Sequence, residues 1–496
     1  MSNNLKSEKT NIERTIERTV DQNIQKIKER FSHTFDLRTR TLIFNHRRIC
    51  IVYLDTIADK GIINERIIKP ICELKEGDLL IDLPISNIEL TNDFKKVEEG
   101  LSNGNTVLFV ENMRESYIVE TDSFQTRSLT EPMSEKIVYG SHDGCVESIL
   151  TNINTIRKRI RSSDLKTEIF PIGETISTNI VVIYMENLAS AELVRTVKKR
   201  IRSIKIGNGL TSGKLEEFIE DSSISIFPQI LKTERPDRIT ANLMEGRVAV
   251  MVEGDATTLI MPVTFFSYYQ SPDDFDVRTI ISSFLRIIRL VGFFMSVTLP
   301  ALYIAIVSFN YEIIPIDLVT AVKGSVDYVP FPPIVEAFIM QLILELLREA
   351  AIRLPSSISQ TIGVVGGLVI GTAIVQANIV SNIMVVIIAL TAISSFVNPI
   401  HEMSFSMRIL GFPMMIAAST LGIVGITLSW TFVLMHLIKL RSFGVPYFAP
   451  VAPIRFSDWK DTLIRKPIWM MKTLPTSTDS SGQKLSSGKK EWKEDE

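Results

Sequence analysis

Leu290-Val-Gly-Phe-Phe-Met-Ser-Val-Thr-Leu-Pro-Ala-Leu-Tyr-Ile-Ala-Ile-Val-Ser-Phe-Asn-Tyr311 runs without a charged side chain, and Leu354–Ile400 and Ile409–Met435 are charge-free as well. A bilayer core takes about 20 apolar residues in a helix. The first and third stretches therefore predict one span each, and the second predicts two, broken at Asn378-Ile-Val-Ser-Asn382. A core helix of a soluble enzyme rarely goes so far without a charge to face water. Ile334–Arg353, which follows Pro330-Phe-Pro-Pro333, is of another kind. It is apolar all round except for a stripe of Gln341, Glu345, Arg348 and Glu349, with Glu349 placed to pair with Arg353 four residues on. Glu336 falls in the first turn, where a carboxylate suits the positive helix end. Such a helix lies either at the membrane interface or against a polar lumen.

Basic residues near span ends set orientation. Arg278, Arg286 and Arg289 precede the first span, and Lys439, Arg441, Arg455, Lys460, Arg465, Lys466 and Lys472 follow the last. The stretch 310–329 carries Glu312, Asp317 and Asp327 against Lys323. The expectation is a cytoplasmic 1–289, an external 310–333 and a cytoplasmic tail. That requires an even number of crossings: four, with helix 334–353 not fully crossing. Met1–Arg30 shows no apolar core of a signal peptide.

The whole chain of 496 residues is 45% hydrophobic and 22% charged, with a net charge of −2 and a mean hydropathy of +0.20. This balance argues against nucleic acid as a partner, which would call for a basic excess. Cys50, Cys72 and Cys145 lie far apart, the histidines are scattered, and neither set has metal-ligand spacing. Ile206-Gly-Asn-Gly-Leu-Thr-Ser-Gly-Lys214 has Asn208 where a phosphate loop needs its first glycine and Leu215 where it needs a hydroxyl, so it reads as a plain turn. Ser141-His142-Asp143 lacks a nucleophile elbow. No enzyme, cofactor or metal is expected.

The part before the spans is written twice. Val52-Tyr-Leu-Asp-Thr-Ile-Ala58 matches Ile183-Tyr-Met-Glu-Asn-Leu-Ala189, and Gly104-Asn-Thr-Val-Leu-Phe-Val-Glu111 matches Gly246-Arg-Val-Ala-Val-Met-Val-Glu253. Each pair predicts a buried strand followed by a helix, then a hairpin, in the same order. Ile12, Ile16, Val20, Ile24, Ile27 and Phe31 recur at helical spacing ahead of them, as an amphipathic helix or a loosely ordered arm. The expected organisation is a polar arm (1–34), an α/β subdomain (35–123), a connection with a helix (124–165) and a second α/β subdomain (166–275). A transmembrane helical domain (276–441) and a basic tail (442–496, disordered after about 473) complete it. The fold class is α+β: a duplicated α/β cytoplasmic domain followed by a polytopic α-helical transmembrane domain.

Gly363, Gly367 and Gly371 form a small-residue ladder that lets helices approach closely, within one chain or between copies. The other side of that helix offers Val365, Val369, Thr372 and Gln376. In a ring of such helices Val365 and Val369 form a hydrophobic constriction that gates by dewetting, while Glu345 and Glu349, if they face the lumen, favour cations.

Phe227-Pro-Gln229, Thr233-Glu-Arg-Pro-Asp237, Met244-Glu-Gly-Arg-Val248, Pro300-Ala-Leu-Tyr303, Val329-Pro-Phe-Pro332, Leu347-Arg-Glu-Ala350, Arg353-Leu-Pro355, Val365-Gly-Gly-Leu-Val-Ile-Gly371 and Ser442-Phe-Gly-Val-Pro-Tyr447 occur in this order. Together they resemble the A subunit of the spore germinant receptors, the GerA family, from about residue 40 to 454. The resemblance implies a multi-pass protein of the spore inner membrane with its N-terminal domain in the cytoplasm. It also implies a transporter-like, nutrient-binding B subunit, a lipoprotein C subunit, and a homo-oligomer that conducts cations when nutrient binds and so triggers germination. The stage V sporulation AF type shares these motifs and would amplify the signal instead. A non-conducting membrane scaffold for transporter-like partners is a further alternative. Where the family usually shows Ala-Gly and Ser-Pro, this chain has Ala377-Asn378 and Ser381-Asn382.

Overall fold

The computed structural model describes residues 15–470 apart from 45–46, 74–82, 86, 123–130, 133–134, 208, 327, 356–357, 359–366, 368–370, 457 and 463. The expectation of disorder after about 473 lies outside them. The described chain divides into two units, one of residues up to 221 plus 230–262, the other of 222–229 plus 263–470.

The first unit holds two antiparallel five-stranded sheets of one topology. In the first sheet β1 (Leu37–Phe44), β2 (Arg47–Leu54), β3 (Ile88–Thr91), β4 (Thr106–Val110) and β5 (Ser116–Val119) lie in the order β1-β2-β4-β5-β3. In the second, β6 (Leu165–Ile172), β7 (Thr178–Met185), β8 (Leu231–Thr233), β9 (Val248–Val252) and β10 (Thr258–Met261) lie in the order β6-β7-β9-β10-β8. Equivalent strands are offset by 131 residues at β2 and β7 (47 to 178) and by 142 at β4 and β9 (106 to 248). The duplicated order read from six strands thus extends to all ten described.

Helices complete each copy. α1 (Val20–Arg30) precedes the first sheet and α2 (Phe94–Ser102) joins β3 to β4. α3 (Ile149–Arg159) precedes the second sheet, α4 (Ala191–Arg202) and α5 (Ser212–Ile219) follow β7, and α6 (Pro236–Met244) joins β8 to β9. The helical run Lys60–Ile62, Ile63–Ile68, Lys69–Glu73, with a π turn at its centre, follows β2. Of the periodic N-terminal residues, Val20, Ile24 and Ile27 lie in α1, Ile16 precedes it and Phe31 ends it, while Ile12 lies outside the described residues; Ile16, Val20, Ile27 and Phe31 are buried. In β2 successive side chains point to opposite faces. Cys50, Val52 and Leu54 meet Val20, Ile27, Val97 and Leu101, while Ile49 and Ile51 meet Ile63, Ile67 and Ile71. Each such buried aliphatic side chain contributes about 1.5–3 kcal/mol.

The two copies are tied together by backbone and by charge. Thr34 bridges Thr167 in parallel, and Phe35 N–H donates to the Thr167 carbonyl (3.0 Å). Beside them Asp36 is fully buried and accepts from Arg157 Nε (3.0 Å) and Nη2 (2.9 Å) and from the Thr56 hydroxyl.

The second unit is a helical bundle: α7 (Thr279–Phe309), α8 (Ile316–Val326), α9 (Pro333–Arg353), α10 (Gly371–Gln376), α11 (Asn382–Phe396), α12 (His401–Leu421) and α13 (Ile423–Lys439). α7 and α12 are long and apolar enough to cross a membrane; α11 and α13 are apolar and shorter. Directions follow from paired contacts. A Cβ on Gly292 would lie 3.0 Å from the Ser394 carbonyl, and the Tyr303 hydroxyl is 3.4 Å from Ser381 Oγ, so α7 and α11 are antiparallel. Phe338 stacks edge-on with Phe412 and Glu345 pairs with Arg408, so α9 and α12 are antiparallel too.

One expectation changes here. Ile409–Met435, read as one span, is two helices: Gly422 (φ +61°, ψ −139°) breaks the chain in a backbone region open essentially to glycine. α13 then folds back along α12, with Gly425 against the Ala417 carbonyl. Helix 334–353, expected not to cross fully, runs alongside α11. Glu336 meets Ser381 at one end and Arg348 meets Ser395 at the other, so the two are parallel. The order of directions starts α7 and finishes α13 at the same end.

The break expected at Asn378–Asn382 lies between α10 and α11. Asn378 takes φ +53°, the left-handed conformation that suits the family's usual glycine and that asparagine tolerates. Ser381 caps α11, accepting from Met384 N–H, so Asn382 stands at the first helical position, where proline fits.

Candidate functional site

The polar stripe of α9 forms a chain of contacts inside the bundle. Proline at its first turn presets the helical φ. Glu336 is fully buried; one carboxylate oxygen accepts the Ser381 N–H (2.8 Å) at the start of α11. It therefore serves the positive end of a neighbouring helix as well as of its own.

Further along, Gln341 Nε2 donates to Glu345 (3.3 Å), Arg348 Nη1 donates to the same oxygen (3.2 Å), and Arg408 Nη1 of α12 donates to the other (2.6 Å). Arg348 also reaches Ser395 Oγ (2.9 Å) and lies 4.5 Å over the Phe396 ring, while Arg408 lies 4.2 Å over Phe405. Both arginines are largely buried, at 12% and 14% side-chain exposure. Two cations thus share one carboxylate beside a small cavity lined in part by Ser296, Gln341, Thr391 and Ser395. Glu349 stands apart, exposed and held by Arg353 (2.6 Å).

Sequence reasoning did not find Arg408. Its signal was a single arginine set directly before the charge-free stretch that starts at Ile409. The close helix approaches were also missed: they occur at Gly292 and Gly425, single glycines without ladder spacing.

Of the glycine ladder, Gly363 lies outside the described residues, as do Val365 and Val369 of the expected constriction. Gly367 and Gly371 are described, and a Cβ on either would meet nothing within 4 Å. No helix of this chain among the described residues closes on them. Thr372 and Gln376 are exposed on the same segment, apart from the Glu345 cluster in sequence and carried by α10.

Residues 25–477 match the model of the Bacillus/Clostridium GerA spore germination protein family. The chain belongs to the GerA family. It is 41% identical over 374 residues to spore germination protein A1 of Bacillus subtilis (strain 168), covering 75% of this chain and 78% of that one. Spore germination protein B1 of the same organism is 36% identical over 475 residues, covering 94% and 98%. An uncharacterized membrane protein, YfkQ, also from that organism, is 38% identical over 442 residues, covering 88% and 86%. The crystal structure of the N-terminal domain of the A subunit of the Bacillus megaterium spore germinant receptor GerK3 is 26% identical. It covers 51% of this chain and 97% of that domain, with a TM-score of 0.39. A role in spore germination follows from the family.

Proposed function

We propose that this GerA-family chain is the A subunit of a nutrient germinant receptor of the spore inner membrane, and that copies of it assemble around a cation-conducting path opened by nutrient. Its partners in this reading are a transporter-like B subunit that binds the nutrient and a lipoprotein C subunit, with the sheet unit in the cytoplasm. α7 starts and α13 finishes at the same end of the bundle, which supports an even number of crossings, as the basic residues at both ends require.

The observation that carries the assembly is that no described atom lies within 4 Å of a Cβ placed on Gly367 or Gly371. Glycines cost helix stability, about 1 kcal/mol each relative to alanine, and no helix described in this chain uses these two. A neighbouring copy would. Glu345, committed to Arg348 and Arg408, offers a conducting path no free negative charge. The polar groups such a path meets are Thr372 and Gln376, with Val365 and Val369 as the dewetting constriction.

Single-channel recording of the purified chain in a planar bilayer tests this reading, because a transporter or a scaffold conducts nothing. Gly367→Leu should leave a monomer by mass photometry, and Val369→Ala should raise the resting conductance. A conductance-free protein that assembles normally would overturn the channel.

A further inference from the structure

We propose that the described residues of 454–470 form a platform, tied to the helices by hydrogen bonds, that lies on the membrane surface and binds the anionic headgroup layer of the lipid. This rests on the membrane-spanning reading and specifies a contact that reading leaves unassigned.

The first observation is a mismatch of length. α7 has 31 residues, about 46 Å at 1.5 Å per residue, against about 30 Å of hydrocarbon. Its charged residues, Arg286 and Arg289, both lie in the first three turns, so the surplus projects at that end. The projecting turns stand at headgroup depth.

The segment after the last helix grips those turns. Arg286 Nη1 donates to the Asp461 carbonyl (2.7 Å) and carboxylate (2.8 Å), and Gln270 Nε2 donates to the same carbonyl (2.6 Å). Arg465, nearly buried, donates to the carbonyls of Asp274 (2.6 Å) and Val277 (2.9 Å), and its N–H donates to Ser283 Oγ (3.1 Å). A segment held by so many polar bonds is part of the fold. Yet its apolar side chains face outward: Ile454, Phe456, Trp459, Ile464, Trp469 and Met470 are each 41–78% exposed. Ile280 and Phe284 of α7 continue that surface, at 84% and 61% exposure.

Charge identifies what covers it. Arg278, Arg441, Lys439 and Lys466 are exposed at this end of the bundle, against the exposed carboxylate of Asp276. Tryptophans among basic residues at the mouth of a helical bundle suit the lipid interface, where the indole takes the apolar side and the cations meet phosphate.

Single-tryptophan forms of the full chain, each keeping Trp430, Trp459 or Trp469, in nanodiscs with lipids brominated high or low on the acyl chain give the test. Trp430, in α13 against Phe293 and Phe294, monitors insertion itself. We expect Trp459 and Trp469 to lose most of their emission to high bromines in phosphatidylglycerol discs. The loss should be much smaller in phosphatidylcholine alone, or in phosphatidylglycerol after Arg441→Glu with Lys466→Glu. Quenching of Trp430 without quenching of Trp459 and Trp469 would overturn the platform and leave insertion intact. Quenching indifferent to lipid charge and to both reversals would overturn the anionic contact. No quenching at any of the three would overturn insertion and the platform together.

Discussion

The two sheets share one strand order and are held by different chemistry. Among the described residues of the first copy no lysine or arginine is buried; its charge in the interior is Asp36, and its faces are aliphatic. The second copy buries Arg157, Lys166, Arg235, Arg238 and Arg247, most of them in ion pairs. Topology follows the continuous apolar runs of the central strands, which both copies keep. The polar inventory is free to diverge, and in the second copy it ties distant segments together. Arg157 reaches Asp36 of the first copy, Arg235 reaches the Ser141 carbonyl (2.8 Å), and Arg238 reaches Glu135 (3.1 Å).

The largest expected effect is at the tie between the copies. Asp36→Ala leaves Arg157 buried without its carboxylate and should cost about 3–5 kcal/mol. Hydrogen exchange at the amides of β2 and β7 would report it, with both strands losing protection together. Asp36→Leu combined with Arg157→Met should recover most of the loss, since an apolar pair of similar volume removes both charges. If only one strand lost protection, the copies would be independent domains.

A second comparison sits at equivalent core positions. Leu101 in α2 and Leu243 in α6 are separated by the same 142 residues as β4 and β9 and are 0% and 1% exposed. Each Leu→Ala change should cost about 2–5 kcal/mol, and the two should agree within about 1 kcal/mol by denaturant unfolding. A twofold disagreement would show that the cores have diverged as much as the charges.

The strands that the sequence made legible are the buried ones. β2 with β7 and β4 with β9 repeat continuous apolar patterns, and burial on both faces leaves that signature. β1 was not legible, because Leu37-Arg-Thr-Arg-Thr-Leu-Ile-Phe44 is an exposed edge with no alternation to read. β3 and β8 are too short, at 4 and 3 residues. In the bundle, charge-free stretches located the helices, but a glycine in an apolar run looks alike whether it turns the chain, as Gly422 does, or packs a helix, as Gly292 does. The partners of Glu345 were half legible. Arg348 shares its helix face, whereas Arg408 is brought in by packing that no local pattern encodes.

The smallest effect concerns the thiols. Cys72 is exposed, while Cys50 in the first copy and Cys145 in the second are buried. Burial raises the thiol of Cys50 and pushes that of Cys145 up to about 12. At pH 8 both buried thiols therefore stay protonated. Mass spectrometry after maleimide treatment at that pH should find one label on the native chain and three on the unfolded one. Fast labelling of either buried thiol would show that its copy opens more readily than the other.

Residues 222–229 are inserted in the sheet unit's sequence yet pack within the helical one. Ser406 Oγ donates to the Ile226 carbonyl (2.6 Å), Phe227 stacks on His436 at 6.1 Å, and Ser442 Oγ donates to the Gln229 carbonyl (2.8 Å). Among the described residues the polypeptide therefore passes from one unit to the other three times, after Asp221, before Ile230 and after Pro262. A protease that nicks the chain just beyond Pro262 would cut the backbone without releasing a free fragment, because Phe227 and its neighbours would still be clasped among the helices. For the same reason a piece ending at Pro262 carries out into water an aromatic side chain that is 2% exposed in the intact molecule. Pro262, where the sheet unit ends, is a poor place to divide the protein.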